Sequence, residues 1–240
     1  EIPDGDGVVY LFADDAKIVK HVRQVEGPIQ LQSRIDALQD WSERWLLKLN
    51  VSKCKVLRIA VGNVSNDYKY TLAKSGSVVQ LQEVPAIKDL GVLVDRNLSF
   101  KDHILDKVNK AYSLLGIIKR NFTHIDKDTF LMLDKSMLRS QLEYANSVWN
   151  PHKIGLMEEL ERVQKRATKI ISACKRMTYS ERLKYLKLPT LVYRRHRGDM
   201  MEVYKILKGT YDKKVNLVLQ RNESHITRGQ SLKLSRNLYR

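Results

Sequence analysis

Asp14 and Asp15 are adjacent carboxylates between two short runs of strand-forming residues, Val8-Val9-Tyr10-Leu11-Phe12 and Lys17-Ile18-Val19. Strand, acidic turn through Ala13-Asp14-Asp15-Ala16, and strand again predict a β-hairpin. Two kinds of chemistry fit such a tip. Aspartate is a favoured turn residue, so the pair can simply be a solvated turn. Paired carboxylates are also the oxygen donors that a hard cation takes, and Mg²⁺ is typically held by one or two of them together with substrate phosphates. Two such ions about 3.5–4 Å apart activate an attacking oxygen and stabilise a departing one in phosphoryl chemistry. A hairpin holds its ligands more rigidly than a loop does.

The elements that must position this turn follow from the hydrophobic period. After Gly27-Pro28, Leu31, Ile35, Leu38, Trp45 and Leu49 recur at helical spacing, with Trp41 near the same stripe. This predicts an amphipathic helix on a sheet, followed by an alternating strand over 55–61. Between 62 and 100, Gly62, Gly76, Pro85 and Gly91 punctuate short β-branched pieces, which read as hairpins. From Ser99 the period becomes helical. Ser99 with Asp102 and Thr178 with Glu181 have capping-box spacing. Ile104, Val108, Ala111, Leu115 and Ile118 form one apolar face; Phe130, Leu133, Met137 and Leu138 begin another. Asn150-Pro151 reads as a helix start, leading into the stripe Leu156, Leu160, Val163, Ala167, Ile170, Cys174. Pro189 opens a last helix that Gly209 can end. An α/β part up to about residue 100 is thus followed by an all-helical part, which makes the fold class α+β.

The chain has 240 residues, 43 Lys+Arg against 27 Asp+Glu, and a formal net charge of +16. That excess points to a polyanionic partner. Lys165, Arg166, Lys169, Lys175, Arg176, Arg194, Arg195, Arg197, Lys205 and Lys208 concentrate it in the later helices. Such a face either keeps the chain soluble, with long stems over apolar neighbours, or grips phosphates independently of sequence. Tyr179, Tyr185 and Tyr193 among these cations serve either as core and boundary residues or as stacking platforms for unpaired bases.

Other chemistries find little support. Two cysteines exclude a disulfide framework and a cysteine zinc cluster. His21, His103, His124, His152, His196 and His225 show no metal-ligand spacing, no Ser or Cys shows a triad pairing, and Gly5-Asp6-Gly7 is not a phosphate loop. No apolar run of about 18 residues spans a membrane. The start EIPDGDG has neither a Met nor a signal peptide and reads as the interior of a longer protein.

Several ordered motifs carry a resemblance. Leu11-Phe12-Ala13-Asp14-Asp15 resembles the [YF]-x-D-D signature of reverse transcriptases, in the FADD form common in non-LTR (LINE-like) retrotransposons. Trp41, Trp45, Leu49-Asn50 and Lys53-Cys54 resemble the next motif of their palm. Lys88-Asp89-Leu90-Gly91-Val92 with Asp95, Leu98-Ser99-Phe100 and His103 resembles the stretch after it. Leu142-Glu143-Tyr144-Ala145, Val148-Trp149-Asn150-Pro151, 161–168, Tyr179 with Arg182-Leu183, and Arg194-Arg195, Arg197, Asp199-Met200 follow in the order typical of jockey- and CR1-like elements. The resemblance covers nearly the whole chain.

The resemblance implies a partial polymerase palm, hairpins with a packed helix, followed by a helical thumb-like domain. Residues 1–62 would be the C-terminal part of the palm, 63–100 a primer-grip-like connection, 101–209 the thumb-like helices and 210–240 a basic polar tail. Asp14 would be a direct ligand of Mg²⁺ and Asp15 its more peripheral neighbour, with Lys53 assisting pyrophosphate departure. Leu90 and Gly91 would form the primer-grip turn. Lys165, Arg166, Lys169, Arg194, Arg195 and Arg197 would contact nucleic acid. The implied activity is RNA-directed DNA synthesis from dNTPs on an RNA template and DNA primer, inside the cell, in nucleus or cytoplasm. The family's other metal-binding aspartate, its preceding Gly-containing motif and its fingers have no counterpart here: Asp4 and Asp6 occupy a variable linker. The chain alone is therefore expected to be an inactive fragment with an exposed sheet edge. The rival reading is a non-catalytic nucleic-acid-binding protein derived from a degraded or co-opted retroelement, and a third is a helical protein-interaction module.

Overall fold

Local sequence decides most of the elements. The computed structural model describes residues 8–22, 26–59, 68–74, 76–212, 217–221 and 233–235. The chain mixes helix with small sheets and divides into two compact units, Glu1–Ser99 and Phe100–Arg240. Asp4, Asp6, Gly62, His225 and Arg228-Gly229 lie outside the described residues.

In the first unit the β-branched run Val8–Phe12 (β1) pairs antiparallel with Asp15–Val19 (β2), placing Phe12 opposite Asp15. Helix α1, Gly27–Arg44, carries Pro28 in its first turn, where a missing N–H costs nothing. Strand β3 (Lys55–Val56) is followed by the hairpin of β4 (Thr71–Lys74) and β5 (Ser77–Gln80). Gly76, at φ +81°, supplies the left-handed residue in that turn. Short β6 (Gln82–Glu83) pairs parallel with β3, and β7 (Ala86–Asp89) forms a hairpin with β8 (Val92–Asp95). Each sheet among the described residues has two strands.

Tyr70, Leu72 and Leu81 are the buried centre of this unit, with Leu31 and Ile35 of α1 and Leu49, Val51 and Val56 packed around them. Two glutamines fix α1 on the edge of β4. The Gln32 amide donates to the Thr71 carbonyl and accepts from the Thr71 N–H, both at 3.0 Å. Gln39 does the same to Ala73, at 3.1 and 2.9 Å. Two turns of helix separate these glutamines, so their amides complete alternate residues of a strand edge that would otherwise be open.

Two expectations need correction here. The strand over 55–61 is only Lys55–Val56, with no regular structure over 57–59 and the remainder outside the described residues. Arg58 instead turns its guanidinium to Glu83, at 2.9 Å, and to the Tyr68 carbonyl. Trp45 and Leu49 do not continue the helix: it ends at Arg44, and Leu46 adopts φ +57°.

In the second unit α2, Lys101–Asn121, buries the predicted stripe Ile104, Val108, Ala111, Leu115 and Ile118. Helix α3 (Lys127–Leu133) is capped by Asp126, whose carboxylate accepts from the Thr129 N–H at 2.8 Å. A π-helical turn, Asp134–Leu138, leads into α4 (Arg139–Glu143) and short α5 (Asn146–Trp149). Helix α6 (Ile154–Ala167) buries Leu160, Val163 and Ala167, and a 3₁₀ turn over Ser172–Cys174 follows. Helix α7 (Tyr179–Leu186) begins with the predicted Thr178–Glu181 capping box. Helix α8 (Leu191–Lys208) starts at the Thr190 cap and ends at Gly209, φ +66°.

Trp149 is fully buried, donates its indole N–H to the Tyr144 carbonyl at 2.7 Å and meets the His103 ring edge-on at 5.2 Å. Two predicted starts are different. Ser99 does not cap α2, because Asp95 holds both its N–H (3.1 Å) and its hydroxyl (3.2 Å). Asn150-Pro151 ends α5 rather than opening α6, which begins after Lys153. Among the described residues no helix is long and apolar enough to cross a membrane.

Candidate functional site

The acidic tip is a two-residue loop, Ala13-Asp14, closed by the Phe12–Asp15 pair. Ala13 sits at φ +51°, a left-handed conformation that glycine would enter more cheaply. Asp14 and Asp15 are exposed, and neither carboxylate has a hydrogen-bond or ion-pair partner among the described residues. Their oxygens are thus open to solvent. Two carboxylates do not complete a hard-cation site, however. No group of three or more His, Cys, Asp or Glu that could hold a metal ion is found among the described residues. The tip has the donor chemistry for Mg²⁺ but does not by itself enclose it.

The surroundings of the tip are apolar. Phe12 is 63% exposed, and Val8, Tyr10, Leu11 and Val19 are exposed on the same hairpin. Lys17 of β2 reaches Asp89 at the end of β7 in an ion pair. That contact ties the acidic hairpin to the strand that enters the Leu90-Gly91 turn, so the structure links two motifs that sequence reasoning treated separately. Both residues of that turn have positive φ, +44° at Leu90 and +85° at Gly91, the geometry of a tight hairpin whose backbone turns in two residues. Lys17 carried no advance signal; alternating with apolar neighbours in a strand, it reads as an ordinary outward-facing lysine. Lys53 lies in the turn after α1, where its N–H donates to the Asn50 carbonyl at 2.9 Å. Its ammonium is exposed and touches no acidic group among the described residues.

The basic side chains of the second unit separate into two classes. Lys165 and Arg166 at the end of α6, Lys169 just after it, and Arg197 on α8 are exposed. Lys165 lies 5.5 Å over the Tyr179 ring and Arg166 5.3 Å over that of Tyr112, so aromatic faces hold both cations at the surface. Arg194 and Arg195 point inward. Arg194 clamps Glu143 with two parallel bonds, one of them at 2.8 Å, and this pairing holds its guanidinium above its ordinary pKa. Arg195 is 2% exposed, and burial pushes its pKa down, opposed by the charges of Glu161, Glu143 and Asp199. Arg195 thus offers no outward charge, and that of the partly exposed Arg194 is matched by Glu143. A run such as Arg194-Arg195-His196-Arg197 cannot reveal this from composition; at 100° per residue its first two members and its last two fall on different sides of the helix.

Around these arginines lies a polar interior that the sequence did not announce. Tyr179 donates its hydroxyl to Glu161, and burial together with that bond raises the phenol well above its ordinary range. Arg182 is buried and donates to Thr168 (2.9 Å) and to the Met177 carbonyl (2.7 Å). Asp134, in the π-helical turn, is buried, which pushes its carboxyl up to about 6 against the opposing pull of Arg139. These groups shape the helical interior and leave Lys165, Arg166, Lys169, Lys175, Arg176, Arg197, Lys205 and Lys208 outward among the cations singled out in sequence.

Known proteins resemble this chain in part. A protein described as "Probable RNA-directed DNA polymerase from transposon X-element" of Drosophila melanogaster is 26% identical over 184 residues, covering 71% of this chain and 19% of that protein. The RNA-directed DNA polymerase from mobile element jockey of Drosophila funebris is 32% identical over 104 residues, 43% of this chain and 11% of its own. The jockey polymerase of Drosophila melanogaster is 27% identical over 107 residues. The curated homologues of this chain are thus polymerases of Drosophila mobile elements, and the chain spans a fifth or less of their length. No family model and no solved structure matches.

Proposed function

We propose that this chain is a portion of a reverse transcriptase of a non-LTR mobile element, comprising part of the palm and a thumb-like helical unit. The observation that carries this is the pairing of two facts. The homologues are named RNA-directed DNA polymerases, and Asp14-Asp15 stand unpartnered on a hairpin tip where a metal-binding turn needs free oxygens. In the whole polymerase Asp14, with Asp15 beside it, contributes carboxylates to a Mg²⁺ site that a further residue completes. Leu90 and Gly91 offer backbone to the primer, and Lys53 supplies charge toward pyrophosphate. Lys165, Arg166, Lys169 and Arg197 take phosphates of the RNA template and DNA primer, with dNTPs as substrates. Such an enzyme works inside the cell, in the nucleus or the cytoplasm.

The second reading is a nucleic-acid-binding protein without catalysis, favoured by the missing third metal ligand among the described residues. The coding sequence around this segment separates the two. The polymerase reading requires an in-frame preceding region bearing another strand-end aspartate. Expressed with that region, the protein extends an RNA-templated primer in Mg²⁺, and Asp14→Ala abolishes extension. The 240 residues alone give none; extension by them that Asp14→Ala removes would show the site to be complete without the rest. An upstream frame lacking the aspartate would leave the non-catalytic reading.

A further inference from the structure

Helix α8 is amphipathic in an unusual sense. Its inward face carries Leu191 and Arg195, both buried. Its outward face should be plainly polar, yet Tyr193 is 61% exposed, Met200 69% and Tyr204 55%. At 100° per residue, Tyr193, Arg197, Met200 and Tyr204 fall on one stripe, with Met201 and Lys208 at its border. The two ring-bearing positions are eleven residues apart, which is about 16 Å along the axis. Each has a cation one turn further on: Arg197 after Tyr193, and Lys208 after Tyr204, the latter 5.8 Å over the ring. Arg197 has no acceptor among the described residues. The carboxylates nearby in sequence are engaged elsewhere: Asp199 accepts from Asn150, and Glu202 pairs with Lys205 at 3.6 Å and accepts the Tyr211 hydroxyl.

We infer that this stripe binds unpaired RNA, with bases stacking on Tyr193 and Tyr204 and phosphates taken by Arg197 and Lys208. The inference rests on the polymerase reading for the identity of its strand, a single-stranded stretch of template apart from the duplex assigned to Lys165, Arg166 and Lys169. Charge complementarity is its first support: an aromatic plate followed one turn later by a cation, twice over, is the alternation a single strand presents as base and phosphate. Shape is the second. The dip between Arg197, Met200, Met201, Tyr204 and Lys205 is lined by one helix alone. It is a ridge with a shallow floor, whereas an amphipathic peptide helix needs a groove between elements. Methionines give that floor a soft, adaptable surface for bases of different shape.

The test is fluorescence anisotropy on the 240-residue chain with a labelled single-stranded RNA and, separately, an RNA–DNA hybrid. Tyr193→Ala and Tyr204→Ala are expected each to weaken single-strand binding by about fivefold or more, and Tyr204→Phe to retain it. Hybrid affinity stays within about twofold, because the phosphate cations of α6 are untouched. Since all these side chains are exposed, thermal melts of the variants should match the parent. Single-strand affinity unchanged in the Tyr193→Ala/Tyr204→Ala double variant, with hybrid binding intact, overturns the stripe and leaves the polymerase reading standing. Failure of the parent chain to bind either probe overturns both. Displacement of the RNA by an acidic amphipathic peptide, with the tyrosine variants losing the peptide and keeping the RNA, would assign this face to a protein partner instead.

Discussion

The two units solve the problem of exposed backbone and apolar surface differently. The helical unit satisfies its backbone locally and closes one interior: Ile104, Phe130, Leu138, Trp149, Leu160, Val163 and Leu186 are all buried. The sheet-bearing unit is built from two-stranded pairs, each marginal by itself because a strand has two edges and a two-stranded pair leaves two open. It covers one of these edges, on β4, with the amides of Gln32 and Gln39. Among the described residues the first hairpin has no comparable cover and keeps Tyr10, Leu11 and Phe12 in solvent. Exposed apolar residues in one patch mark a surface built to be covered. The element bearing the acidic tip is thus the least self-sufficient, and the element bearing the outward cations the most.

The largest effect expected from this contrast is in the helical core. Trp149→Ala removes a fully buried indole and its hydrogen bond to Tyr144, and should cost about 3–5 kcal/mol in a urea melt. Phe12→Ala, on the exposed hairpin, should cost under about 0.5 kcal/mol in the same assay. Similar costs for the two would erase the distinction.

A pH series sharpens it next. The Asp134 carboxyl is raised from 3.8 to about 6 in the folded state, so folding favours its protonated form. Its stabilisation is fully present below about pH 4 and is lost as pH rises through about 6, a cost of about 3 kcal/mol at neutral pH. Asp134→Asn should therefore raise the melting temperature at pH 7 and leave it nearly unchanged at pH 4. A variant less stable than the parent at pH 7 would show that the charged carboxylate is held by Arg139 and Arg194 more strongly than burial opposes it.

Smaller effects belong to the covered edge. Gln32→Ala and Gln39→Ala each free one N–H and one C=O of β4 and should cost about 1 kcal/mol apiece. Hydrogen exchange at Thr71 and Ala73 reports this directly: their amides should lose protection in the matching variant, while exchange in α2 stays as it was.

Much of this arrangement could be read from residues in order. The stripe from Ile104 to Ile118, the Thr178–Glu181 box and the Gly209 stop lie within one element, where period and capping chemistry act locally. The acidic hairpin was legible for the same reason. What escaped involved choices between partners. Ser99 had a suitable neighbour at Asp102, but in the folded turn Asp95 accepts from both its N–H and its hydroxyl. Gln32 and Gln39 look like helix surface until a strand edge from 39 and 34 residues later meets them. Arg194 and Arg195 counted toward a basic face because composition records charge and not direction. Glu143, 51 residues before Arg194, decides where the first of them points. Lys17 and Asp89 are 72 residues apart and join only through the fold.

The central claim is that the helical unit grips template–primer through phosphates. A salt titration of the 240-residue chain with an RNA–DNA hybrid tests it most directly. The logarithm of the binding constant should fall linearly and steeply with the logarithm of salt concentration. The combined variant Lys165→Ala, Arg166→Ala, Lys169→Ala should lower the slope by about 2–3. A shallow slope in the parent, or one that the triple variant leaves unchanged, would contradict the account.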